Sequence, residues 1–187
     1  SGDGWHYRWN TAAFAAQGYV VCSVNYHGSS GFGYAFLDSI SHRYGQLELQ
    51  DIEAATELLL QQSWADPKRV FAAGGSYGGY MTVWIIGHTQ RFKAAVTQRC
   101  VSNLISMWGS SDFNWIFQQE LSNKPPFEDL QKFWDHSPMK YIGNARTPTL
   151  VIHNENDLRC PIEQGEQVFV ALRSQGVASE MVRFPDE

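Results

Sequence analysis

The chain is poor in cysteine, with three in 187 residues, and it contains neither a Cys-x-x-Cys pair nor a His-Glu-x-x-His run. A structural or catalytic zinc therefore has no support in the sequence. Cys22, Cys100 and Cys160 are odd in number and irregularly spaced, so they read as reduced, buried thiols of the kind that suit a cytoplasmic setting. No apolar run approaches membrane-span length, and the opening Ser1-Gly2-Asp3-Gly4-Trp5 lacks the basic and apolar regions of a signal peptide. Blocks of one charge sign are also missing. With 14 Lys and Arg against 19 Asp and Glu, the net charge of −5 argues against nucleic acid or an anionic membrane as partner. Neither a metal nor an organic cofactor is implied.

What is present is an ordinary globular composition, 43% hydrophobic, in a length that can bury one good core. Short apolar runs recur at Tyr19 to Asn25, Arg69 to Gly74, Lys93 to Thr97, Pro148 to His153 and Glu180 to Phe184. Near-continuous apolar character over so few residues fits parallel strands covered on both faces. Helical spacing fills the gaps at Thr11 to Gln17, Leu49 to Gln62, Tyr77 to Gly87 and Ile162 to Ser174. The alternation predicts a three-layer α/β fold, a mostly parallel sheet with helices on both faces. Gly18 and Gly176 stand where left-handed helix caps belong, and Asp66-Pro67 separates a helix from the Arg69 strand. Residues 101–141 break the alternation with many aromatics and the turn Asn123-Lys124-Pro125-Pro126, and they read as a helical insertion over the carboxyl ends of the strands.

The most specific signal is Val70-Phe71-Ala72-Ala73-Gly74-Gly75-Ser76-Tyr77-Gly78-Gly79-Tyr80-Met81, where an apolar run meets a glycine-flanked serine and then a helix-compatible segment. This is the pattern of a nucleophile elbow, in which a sharp strand-to-helix turn presents the serine, and Gly74 and Gly78 leave room for the backbones to pass. The Tyr77 N–H, at the start of the helix, is then placed to donate to a developing oxyanion.

A serine nucleophile needs a base, and usually a carboxylate to orient that base. Asp157 follows the Thr149 to His153 strand in the loop Asn154-Glu155-Asn156-Asp157. It serves either as that acid or as an ordering residue for the loop and the helix beyond. All six histidines, at positions 6, 27, 42, 88, 136 and 153, precede Asp157, whereas chain order in such sheets puts the base after the acid. His153 reads as a packed or loop-ordering residue, and His88 and His136 as helix-end residues.

Several stretches join the elbow: Asn25-Tyr26-His27-Gly28-Ser29-Ser30-Gly31-Phe32-Gly33 with Gly45 and Asp51, the run Asn154 to Gln167, and the ending Phe184-Pro185-Asp186-Glu187. Together they resemble the catalytic domain of the prolyl oligopeptidase family of serine peptidases, most closely its acylaminoacyl-peptidase and dipeptidyl-aminopeptidase-like branch. The resemblance implies an α/β-hydrolase fold, with residues 1–187 as a partial catalytic domain truncated at both ends. Ser76 is then the nucleophile and Asp157 the triad acid. The histidine is expected just beyond Glu187, while a His-Gly-Gly-Pro-like oxyanion loop and a β-propeller are expected upstream of Ser1. His27 stands where the family usually has arginine, a residue that reads as structural, so the change puts a local ion pair in question and leaves the chemistry untouched.

On this reading the substrates are short peptides. Tyr80, Trp108, Trp115 and Phe117, with Phe113, are candidates for an apolar substrate pocket, or equally for helix packing. Asp112 could cap a helix or meet a substrate amine. A carboxylesterase on the same fold would use the same serine and acid, and without its base the chain could act as a non-catalytic binding module. Exposed sheet edges would also allow a homo-oligomer.

Overall fold

The computed structural model describes Tyr7 and residues 9–186. Its centre is a parallel sheet of four strands in the order β1-β2-β3-β4, comprising β1 (Phe71–Ser76), β2 (Ala94–Cys100), β3 (Thr149–Asn154) and β4 (Ser179–Phe184). Spatial order follows chain order because each parallel neighbour is reached by a helical crossover. The helices are α1 (Thr11–Ala15), α2 (Tyr34–Asp38), α3 (Gln46–Leu60), α4 (Tyr77–His88), α5 (Leu104–Ser110), α6 (Asn114–Leu121), α7 (Leu130–Asp135) and α8 (Glu163–Ser174). The four strands from Phe71 onward fall within two residues of the sequence reading, except that β2 runs three residues further, to Cys100, and α2 is an addition to it.

One face of the sheet carries α4 and α8. Val83 and Ile86 of α4 meet Val168 and Leu172 of α8 over Ala95 and Val151 of the strands. Except for Ala95, these side chains have no solvent exposure, and each buried aliphatic of this kind contributes about 1.5–3 kcal/mol. Helix α4 is buried continuously from Gly79 to Gly87, which explains why its sequence is apolar all round rather than on one stripe. On the opposite face Phe71, Val182 and Phe184 remain 46%, 39% and 48% exposed. Gly18 and Gly176 adopt the left-handed conformation anticipated for them, at φ +88° and +74°.

The predicted first strand, Tyr19 to Asn25, does not form. It begins beside β1, with Tyr19 edge-on to Phe71 at 6.1 Å, and leads to Tyr26, stacked on Tyr77 of α4 at 6.3 Å. No backbone ladder joins it to the sheet among the described residues, and without a paired neighbour an apolar run is not a strand. Val20 is consequently 66% exposed. Cys22 is exposed with it, whereas Cys100 and Cys160 are buried; all three are free thiols.

Candidate active site

Ser76 closes β1 and is the N-cap of α4, with φ 59° and ψ −119°. A non-glycine residue held there costs on the order of 1–3 kcal/mol and persists only where its surroundings fix it. The surroundings are tight on two sides. A Cβ on Gly74 would lie 2.3 Å from the Gly78 carbonyl oxygen, and one on Gly79 would lie 2.8 Å from that of Gln98. Gly78 itself faces open space, so the close approach is required at Gly74 and Gly79 rather than at the Gly74 and Gly78 pair read from the motif.

Tyr77 is the first residue of α4, so its N–H has no partner within the helix. Its side chain is anchored by a residue the sequence reading missed. The Tyr77 hydroxyl donates to Glu48 Oε1 at 2.5 Å, and the same oxygen accepts from the Gly45 N–H at 3.0 Å. Glu48 is fully buried at the start of α3, amid Tyr26, Tyr44, Tyr77 and Tyr80. Burial, and then the Glu48 charge, raise the hydroxyl pKa of Tyr77 and Tyr80, which keeps both phenols protonated donors.

Asp157 sits in the loop after β3, where its Oδ1 accepts from the N–H groups of Arg159 at 3.0 Å and Cys160 at 2.8 Å. Both donors reach one oxygen, leaving Oδ2 without a donor among the described residues. The loop is drawn shut by His153, whose Nε2 donates to the Cys160 carbonyl at 2.7 Å. Its other ring nitrogen, Nδ1, packs where a Cβ on Gly165 would approach to 2.5 Å. His153 is fully buried, and burial lowers its pKa, so it is a neutral loop-ordering ring.

Two cavities meet at Ser76. One, of about 210 Å³, is lined by Tyr44, Tyr77, Tyr80, Val101, Leu104, Met107, Phe113, Ile116 and Phe117. The other, of about 400 Å³, is bounded by Arg99, Asn154 and Asp157. Arg159 and Cys160 line both. Ser76 and Asp157, distant in sequence, thus face a common space. Of the predicted aromatic pocket, Tyr80 and Phe117 line the apolar cavity while Trp108 and Trp115 do not. Trp108 packs edge-on against Phe127 at 5.9 Å, and Trp115 is 55% exposed. Helical spacing explains the split within α6, which turns Ile116 and Phe117 inward after its N-cap Phe113 and leaves Trp115 outward. The Cys160 thiol is pushed up to about 11, chiefly by burial and next by Asp157. It therefore stays protonated near neutral pH and does not compete with the serine.

Asp112 neither caps a helix nor stands alone. It pairs with Arg159 Nε at 2.6 Å, and that guanidinium lies 4.4 Å above the Phe113 ring. At the position where the ion pair was questioned, the His27 backbone N–H donates to Asp51 Oδ2 at 2.7 Å and its ring Nδ1 lies 2.6 Å from the same oxygen. His88 and His136 end α4 and α7 with Nδ1 on the carbonyls of Trp84 and Lys132. His136 is buried.

The profile of the prolyl oligopeptidase family matches residues 5–187. The chain belongs to that family. It is 47% identical over 92% of its length to the uncharacterized peptidase YuxL of Bacillus subtilis, covering 26% of that protein. It is 34% identical over 94% of its length to the acylamino-acid-releasing enzyme of Arabidopsis thaliana, covering 24%. Among solved structures, the acylaminoacyl peptidase of Pyrococcus horikoshii superposes with a TM-score of 0.83 at 29% identity, over 87% of this chain and 27% of that one. The fold is thus that of an α/β-hydrolase, and this family member spans about a quarter of the length of the relatives it matches. No helix of the described residues is long and apolar enough to cross a membrane.

Proposed function

We propose that this chain carries the nucleophile and acid of a serine peptidase that cleaves short peptides after an apolar residue. The observation that carries the reading is Ser76, held at φ 59° where an apolar cavity and an Asp157-bearing cavity meet. The apolar cavity suits the side chain on the acyl side of the scissile bond. The polar one has far more space than a single water needs and receives the histidine base, which the family pattern places shortly after Phe184-Pro185-Asp186-Glu187.

In the reaction the base takes the Ser76 proton as Oγ attacks the carbonyl carbon, and Asp157 Oδ2 orients the imidazole and stabilises its cation. The Tyr77 N–H donates to the oxyanion, and Glu48 holds that residue through its hydroxyl. The base then protonates the leaving amine, and water releases the acyl group from Ser76. Three free thiols fit a reducing, cytoplasmic compartment.

The test compares the full gene product containing this chain with its Ser76→Ala variant on an acyl-alanine nitroanilide and an acyl-alanine nitrophenyl ester. Serine-dependent cleavage of the anilide supports the peptidase. Cleavage of the ester alone transfers the assignment to a carboxylesterase, and hydrolysis that survives Ser76→Ala removes it altogether.

A further inference from the structure

Resting on the reading of Ser76 and Asp157 above, we propose that Arg99 anchors a carboxylate on the leaving-group side of the scissile bond. The favoured substrates are then short peptides whose leaving residue carries a free acid. The first observation is backbone geometry. Gly75 pairs with Gln98 but Ser76 pairs with Cys100, so Arg99 is the extra residue of a bulge directly beside the nucleophile. Its φ is +37°, a conformation an arginine adopts only under constraint. Bulges next to active sites re-aim a side chain, and this one gives Arg99 a place in the wall of the cavity that Ser76 and Asp157 share.

The second observation is charge. Arg159, in the same wall, is neutralised by Asp112. Arg99 makes no ion pair among the described residues, and its guanidinium rests on the Trp9 ring with 5.5 Å to the centroid. An aromatic face orients the planar fork without satisfying its donors. Asp157, the anion of this cavity, has Oδ1 occupied by backbone N–H groups, and its charge is matched by the imidazolium formed during catalysis. Among the described residues, Arg99 is therefore the cation of this cavity without an ion pair.

The third is direction. The base gives its proton to the leaving amine, so the leaving residue lies toward the cavity bounded by Asp157 and Arg99 rather than in the apolar one. A carboxylate there meets an arginine in the bidentate manner the guanidinium favours.

The experiment measures calorimetric binding of acetyl-Leu-Gly, its C-terminal amide and acetyl-Leu-Asp-amide to the full gene product carrying Ser76→Ala, with and without Arg99→Met. The account expects one of the two acids to bind at least about tenfold tighter than the neutral amide, as for a charge-assisted hydrogen bond, and expects Arg99→Met to erase that preference. The Gly and Asp arms distinguish a terminal carboxylate from a side-chain one. Should Arg99→Met fail to fold by circular dichroism, Arg99→Lys, which keeps the charge and loses the fork, is expected to retain a reduced preference. Equal binding of acids and amide overturns the inference, as does a preference untouched by the Arg99 substitutions. Carboxylate preference without Ser76-dependent turnover in the unmutated protein would instead sink the peptidase reading and leave the anchor standing.

Discussion

The two cavities that meet at Ser76 are built in different ways. The apolar one is made largely of the segment between β2 and β3, with Leu104 and Met107 of α5 and Ile116 and Phe117 of α6 set against Tyr80 of α4. The polar one is made from strand ends and the loops that leave them, with Arg99 from β2, Asn154 from β3 and Asp157 from the loop after it. An inserted helical layer can change its side chains without disturbing the sheet, whereas residues at strand ends are fixed by the ladder. On the proposed reading, the helical layer thus selects the substrate and the strand ends and their loops handle the proton.

This division is broken most severely from the polar side. Asp157→Asn in the full gene product is expected to lower kcat by about 10³–10⁴ while leaving KM for apolar acyl groups nearly unchanged, in steady-state kinetics. A comparable rise in KM would mean that the two cavities are not separable. Narrowing the apolar side has the next largest effect. Ile116→Trp is expected to reduce kcat/KM for an acyl-leucine substrate about tenfold, with much less effect on acyl-alanine, since pocket volume discriminates by about 1–3 kcal/mol. A uniform fall for both substrates would place Ile116 outside the pocket.

The loop under the polar cavity gives a pH prediction. Burial depresses the His153 pKa below its unfolded value of 6.5, so the unfolded state binds more protons in that window. Its contribution to stability is complete above about pH 6.5 and is lost as pH falls toward the folded value. Urea melts between pH 7 and pH 5 should show the loss, and His153→Gln should shallow the slope. An unchanged slope would show that other groups carry the acid sensitivity. The smallest effect belongs to Trp115, which is 55% exposed and lines neither cavity. Trp115→Ala should alter stability by less than about 0.5 kcal/mol and leave KM unchanged, and a raised KM would restore it to the pocket.

The sheet and the elbow were legible because both are written locally. The runs at Phe71, Ala94, Thr149 and Ser179 are each flanked by helical spacing, and the glycines around Ser76 announce the turn. Tyr19 to Asn25 misled because a strand requires a neighbour, and apolar character carries no information about one. The aromatic pocket was only half readable, since composition names Trp108, Phe113, Trp115 and Phe117 alike and only the phase of α5 and α6 separates them. Glu48 stands just before the Leu49 to Gln62 helical spacing, and nothing short of the α3 and α4 packing reveals its grip on Tyr77. Arg99 was hidden for a related reason, because a single-residue shift in register leaves no mark in the sequence.

The most direct measurement is labelling by a fluorophosphonate, which leaves a phosphonyl group on an activated serine. Treatment of the full gene product followed by peptide mass mapping should find the adduct on Ser76, with labelling absent in Ser76→Ala and strongly slowed in Asp157→Asn. An adduct on another residue, or labelling undiminished by Ser76→Ala, would contradict the assignment of Ser76 as the nucleophile.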